Sequence, residues 1–106
     1  MYAVYCRISV LGYSMGYDRL LMYQKDVLTK YANDLGYDDL IFIDEVKSVD
    51  PTLYLSNKLL SIIRSRSVSA IIIYDYTRIA GRYDMFIEFL MLCNSFDIKV
   101  YQYKRC

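Results

Sequence analysis

Four short apolar runs, separated by stretches of helical period, constrain the fold of this chain more than any other feature. The runs are YAVYCRI (2–8), LIFID (40–44), AIIIYDY (70–76) and IKVYQY (98–103). Each has a strand's length and is apolar at nearly every position, the pattern of a strand covered on both sides. Between them the period changes. From Asp18 onward, Leu20, Leu21, Val27, Leu28, Tyr31 and Leu35 recur near helical spacing, and Gly36 follows as a C-terminal cap. Leu55, Leu59, Leu60, Ile62 and Ile63 line a second helical face, with Pro51 suited to its first turn. Phe86, Phe89, Leu90 and Leu92 carry a third. The order β-α-β-α-β-α-β predicts an α/β domain with a mostly parallel four-stranded sheet and helices on both faces.

At 106 residues the chain reads as one domain, 1–106, with no linker, internal repeat or low-complexity tract. An apolar share of 56% is enough to build a core. The net charge of +1 gives no broad basic field, so nucleic-acid binding has to rest on a local cluster of cations. Cys6, Cys93 and Cys106 are odd in number and widely spaced, and the chain has no His. That argues against a disulfide framework or a zinc site and fits a reducing compartment. No leader pattern opens the chain, and no apolar run approaches the roughly 20 residues of a membrane span. The expectation is a soluble, intracellular protein. Thirteen tyrosines are an unusual share, and the sequence assigns them no role.

In an open parallel sheet, ligands bind beyond the carboxyl ends of the strands. Polar residues collect at that edge here. The first strand ends in Arg7 and Ser9, the second in Asp44, and the third in Asp75, Thr77 and Arg78, with Arg82 shortly after. Arg7 and Ser9 are two apart and share a face if the strand extends that far. Guanidinium forks bind phosphate oxygens and stay charged. A hydroxyl between them has the means to attack phosphorus while the arginines stabilise charge on the equatorial oxygens. Each residue also has a plainer reading. Ser9 suits a turn or helix cap. Arg7 suits a solvated strand end or a partner of Asp44. Asp44 and Asp75 suit helix N-terminal charges, and Arg78 with Arg82 suits one exposed helix face. The tyrosines suit packing and surface more than base stacking.

Taken together, the motifs resemble those of the serine recombinases, the resolvase/invertase family. YCRIS resembles the opening Y-x-R-[VI]-S. MYQKDVLTKYANDLGY is similar to the family's first helix, IFIDEVKS to its second strand and the D-x-x-x-S loop, and AIIIYDYTRIAGR to its third strand and D-R-L-x-R segment. The resemblance covers nearly the whole chain and only the catalytic domain of the family. It implies a flavodoxin-like, three-layer fold and site-specific DNA recombination. In that reaction a serine cleaves DNA through a 5′-phosphoserine link, and strands are exchanged and religated without metal or nucleotide cofactor. By motif position, Ser9 is the nucleophile, Arg7 and Arg78 hold the scissile phosphate, and Gln24 and Asp44 support the site. Arg82 is the closing arginine. The partners implied are DNA and further copies of the chain, as dimers that pair into tetramers.

The chain also departs from the family pattern. VDPTLYL holds Asp50 and Pro51 where an arginine is usual, Thr77 stands in place of the Asp of D-R, Gly81 moves the closing arginine one residue late, and VLGY replaces the usual Thr-x-x-Gln. Lys58, Arg64 and Arg66 are candidate replacement cations. The family's dimerisation helix and DNA-binding segment have no counterpart before Cys106, so targeting is expected to need a partner protein or a further segment. Two further readings stand beside catalysis. One is a catalytically degenerate, resolvase-like domain that pairs with or regulates recombinases. The other is a response-regulator-like domain with a magnesium pocket at Asp44 and Asp75, against which stands Arg7 where such a pocket wants a carboxylate.

Overall fold

A computed structural model describes residues 1–8, 17–46 and 57–104. β1 (Tyr2–Ile8) lies at the centre of a four-stranded sheet with β2 (Leu40–Val46) on one side and β3 (Ala70–Ile73) on the other. β4 (Lys99–Gln102) lies outside β3, giving the order β2-β1-β3-β4. Every neighbouring pair is parallel. The connecting helices are α1 (Tyr17–Asp34), α2 (Asn57–Ser65) and α3 (Tyr83–Ser95). This is the α/β order read from the sequence. Pro51, Leu55 and the loop after Ser9 lie outside the described residues.

Strand alternation sorts the core into two layers. Ala3 and Tyr5 of β1, Ile43 of β2, and Ile71 and Ile73 of β3 face Leu59 and Ile63 of α2 and Phe86, Phe89 and Cys93 of α3. Val4, Cys6 and Ile72 point the other way, onto Leu28 and Ala32 of α1. Two helices therefore cover one face and a single helix the other. The second face is completed by Tyr2, Tyr31, Tyr37, Tyr74 and Tyr101, all partly buried against that cluster. A tyrosine can cover a sheet with its ring while its hydroxyl stays in reach of water or a partner. Tyr37 and Tyr101 join hydroxyls at 2.8 Å, and Tyr31 donates to the Gln102 carbonyl at 3.3 Å.

Two helices end alike on different residues. At the end of α1, Gly36 sits at φ +91°, its N–H bonds the Asn33 carbonyl at 2.9 Å, and the Tyr37 N–H bonds Ala32 at 2.9 Å. At the end of α3, Asp97 takes the same left-handed place at φ +58°, with Asp97 N–H to Asn94 at 3.1 Å and Ile98 N–H to Cys93 at 2.9 Å. Both are reversals in which two N–H groups close on the last carbonyls of the helix. Glycine adopts this conformation freely and aspartate at a cost.

The strands differ from the sequence expectation at their ends, and the differences shape the upper rim. β2 continues past Asp44 to Val46 and so takes in Glu45. β4 is one residue shorter at each end than expected. β3 stops at Ile73 rather than at residue 76. The cause is Asp75, whose carboxylate accepts the Thr77 backbone N–H at 3.0 Å and the Thr77 hydroxyl. That turn starts a short 3-10 helix, Tyr76–Arg78, in place of further strand. Ile79 and Ala80, both buried, pin the segment to the core immediately afterwards.

Because β3 ends early, β1 loses a neighbour on one side. Its pairing with β3 stops at Tyr5↔Ile73, while pairing with β2 runs on to Ile8↔Val46. Gln24 of α1 supplies what the missing strand does not. Its side-chain amide accepts the Arg7 N–H at 3.4 Å and donates to the Arg7 carbonyl at 3.1 Å. Gln24 is itself buried, which its long polar side chain tolerates only because both ends are bonded.

Two outcomes are expected from these features. Gln24→Leu removes both hydrogen bonds to the Arg7 backbone and should lower unfolding stability by about 2–4 kcal/mol, read from urea melts. Asp97→Gly should raise stability by about 1 kcal/mol in the same assay, by removing a left-handed non-glycine residue.

Candidate active site

β1, β2 and the 3-10 segment meet at the carboxyl end of the sheet, and Arg7 stands at their junction. Its backbone is clamped by Gln24, and the residue is 6% exposed. Its Nη1 donates to the carbonyl of Arg78 at 3.3 Å. A buried guanidinium, always charged, is costly unless its donors are used. This position rules out a solvated strand end. It also rules out pairing with Asp44, because Arg7 follows Tyr5 onto the α2/α3 face whereas Asp44 is aligned with Cys6 on the α1 face.

Arg78 approaches from the other side of the junction. Its guanidinium carbon lies 5.3 Å from the centre of the Tyr74 ring, and its Nε is 3.8 Å from Asp75 Oδ1. That Nε is buried and, among the described residues, makes no hydrogen bond. Arg78 is thus held by a ring and a long ion-pair contact rather than by a full set of hydrogen bonds. It is a cation with donor capacity in hand at a rim.

The remaining sequence candidates lie elsewhere or outside view. Ser9 is beyond the described residues. Asp44 accepts from Lys25 Nζ at 2.6 Å on the exposed side of α1, and this bond raises the Lys25 pKa. Arg82 is exposed and forks onto Asp84, with Nε to Oδ1 at 3.1 Å and Nη2 to Oδ2 at 2.5 Å. The Arg82 hydrogen bond holds the Asp84 carboxyl below its ordinary range. Arg78 and Arg82 do not share a helix face, since one belongs to the 3-10 segment and the other precedes α3. The structure therefore brings Arg7, Gln24 and Arg78 together and leaves Asp44 and Arg82 in separate surface pairs. Among the described residues no group of three His, Cys, Asp or Glu side chains is placed to hold a metal, and no helix is long and apolar enough to cross a membrane.

Glu45 was not legible as a site residue. It is aligned with Arg7 in the neighbouring strand, is 9% exposed, and accepts the Tyr5 hydroxyl at 2.7 Å. The signal in the sequence was the alternation Ile41, Ile43, Glu45, which continues the inward face one step past the expected strand end.

Cys6 is next to Arg7 and is the obvious rival nucleophile. Burial, and secondarily the charge of Asp44, push its thiol up to about 12. A thiol protonated at neutral pH is a poor nucleophile. With no His in the chain, the groups offered at this rim are hydroxyls, carboxylates and guanidinium groups.

No protein-family model and no curated protein matches the chain. Solved structures do. The chain is similar to the C-terminal catalytic domain of ISC1926 TnpA, an IS607-like serine recombinase, with TM-score 0.73, 22% identity, and coverage of 100% of this chain and 72% of that one. It is similar to the first open reading frame in transposon ISC1904 from Sulfolobus solfataricus P2, with TM-score 0.71, 20% identity, and coverage of 99% and 68%. The N-terminal catalytic domain of TP901-1 integrase follows, with TM-score 0.68, 16% identity, and coverage of 96% and 76%. Sheet order, helix placement and these likenesses agree: the chain has the α/β fold of the serine recombinase catalytic domains.

Proposed function

We propose that this chain is a serine recombinase catalytic domain that cleaves and rejoins DNA strands through Ser9. In the cleavage step the Ser9 hydroxyl gives up its proton to water as its oxygen bonds to the phosphorus of a DNA phosphodiester. The bond to the 3′ oxygen breaks, and that oxygen leaves as a hydroxyl after taking up a proton. The 5′ phosphate stays on the serine. Rejoining reverses the step with a 3′ hydroxyl from another strand as attacking group. Arg7 and Arg78 hold the non-bridging oxygens and stabilise charge on them as the bond order changes. Gln24 acts through the Arg7 backbone and fixes where the guanidinium starts. The step as written consumes no metal and no nucleotide. DNA is the substrate, and two or more copies of the chain are needed to exchange strands between sites.

The observation that carries this reading is the junction of Arg7 with Arg78. The Arg7 guanidinium, buried to 6% exposure, donates to the backbone carbonyl of Arg78 at the strand ends where this fold binds ligands, and a serine stands two residues on in the sequence. Scattered surface arginines make no such arrangement. A non-catalytic, regulatory resolvase-like domain is the second reading. It draws on Arg82 and Asp44, which are occupied by Asp84 and Lys25 rather than turned to Arg7.

DNA carrying a nick that traps the cleaved intermediate separates the two. Wild-type protein should form a covalent adduct that survives denaturing gels, and Ser9→Ala should form none. An equal yield from both proteins, or none from either at any assembly condition, excludes cleavage by Ser9. Arg78→Lys keeps the charge but loses the planar fork, and should slow adduct formation by about 100- to 1000-fold while leaving the melting curve nearly unchanged.

A further inference from the structure

Among the described residues, Arg7, Gln24 and Glu45 are the polar or charged side chains that the fold buries, and they lie together. Gln24 clamps the Arg7 backbone from α1, and Arg7 Nη1 reaches the Arg78 carbonyl on the β3 side. Glu45 stands on the remaining side. It is aligned with Arg7 in the parallel neighbour β2, one strand spacing or about 4.8 Å away. Alternation puts Tyr5, Arg7, Ile43 and Glu45 on the α2/α3 face. Asp44, one residue earlier, lies on the α1 face and is taken by Lys25.

Packing alone does not explain why Glu45 is buried. β2 is an edge strand, and a long glutamate at its end would ordinarily turn to water. Here the side chain turns inward, and its Oε2 accepts the hydroxyl of the fully buried Tyr5 at 2.7 Å. Any neutral acceptor could serve that hydroxyl. A carboxylate in its place carries a desolvation cost that one hydroxyl does not repay. The charge does fit beside Arg7, whose guanidinium is buried and always ionised. An anion next to a buried cation offsets part of the cost of both.

We propose that Glu45, anchored by the Tyr5 hydroxyl, is a positioning residue that fixes the Arg7 guanidinium from the β2 side for its grip on a DNA phosphodiester. Glu45 acts through Arg7 and touches no reacting atom. The role rests on the recombinase reading for the reaction it serves. The charge has two opposed effects. It orients Arg7, which favours cleavage, and it repels a phosphate, which weakens binding. A side chain that only packs has neither effect.

Glu45→Gln separates these effects, because its amide oxygen still accepts from Tyr5 while the charge is gone. Binding of a labelled DNA duplex, read by fluorescence anisotropy in Ser9→Ala protein, should tighten by about 3- to 10-fold. Adduct formation on the nicked substrate, with Ser9 intact, should slow by about 10- to 100-fold. Tyr5→Phe keeps the charge and loses the anchor, and should slow adduct formation by about 10-fold with binding within about twofold of wild type. Glu88→Gln removes an equal charge from the exposed side of α3 and should leave rate and binding within about twofold. A wild-type adduct rate in Glu45→Gln overturns the proposal. So does a joint fall of rate and affinity that follows lost stability in urea melts, the mark of a purely structural role. If Glu45→Gln fails to fold, an unchanged rate in Tyr5→Phe overturns it instead. The two readings fail separately. Adducts that need Ser9 but ignore Glu45 and Tyr5 sink the positioning role alone. With no adduct from wild type the cleavage reading falls, and binding decides on Glu45. Tightening in Glu45→Gln but not in Glu88→Gln then upholds its action at Arg7, and equal or absent binding overturns it.

Discussion

Two hydrogen bonds between Gln24 and the backbone of Arg7 hold together the carboxyl end of the sheet, where the candidate site lies. They are needed because β3 ends opposite Tyr5 and leaves Arg7 with a strand neighbour on one side only. Asp75 is the origin of that gap. By capturing Thr77 it turns the chain into a 3-10 segment and delivers the Arg78 carbonyl to the Arg7 guanidinium. Sheet, helix and loop thus meet on one residue. A longer β3 would satisfy the Arg7 backbone without Gln24, but it would carry Arg78 away from the junction.

The distribution of helices explains much of the unusual composition. Two helices cover one face with Leu, Ile and Phe, and a dry core results. One helix covers the other, and tyrosines complete that layer. Their rings remove apolar sheet surface from water, and their hydroxyls find partners such as Tyr101 and the Gln102 carbonyl. The same half-covered face passes beside Arg78. A layer built to be partly wet is therefore also the surface nearest the candidate site.

Fold was legible where period alone decided it. The four apolar runs and the Leu28, Leu59 and Phe86 stripes need only strand and helix spacing, and Gly36 announced its left-handed place. Asp97 takes the same place without a glycine, so the sequence concealed it. β3 was read too long because Tyr74 and Tyr76 favour strands, whereas the break comes from a side chain bonding its own backbone at Asp75. β2 was read too short because Glu45 looks like a loop residue. Glu45 is instead an inward position, bonded to a tyrosine that the sequence marks only as apolar. Of the candidate site, Gln24 bonds the Arg7 backbone and the Arg7 guanidinium bonds the Arg78 carbonyl. Asp44 and Arg82 sit in the same motifs, but strand alternation and a nearby Asp84 send their side chains elsewhere.

The central claim is that Arg7 and Arg78 jointly grip one DNA phosphodiester. Guanidinium resonances of the two arginines, followed by nitrogen–proton NMR in Ser9→Ala protein, report on it with no strand cut. On titration with a short DNA duplex the account predicts that both Nε–H signals shift together along one binding curve. Signals that stay fixed while lysine or other arginine resonances move would place the DNA elsewhere on the molecule and contradict the account.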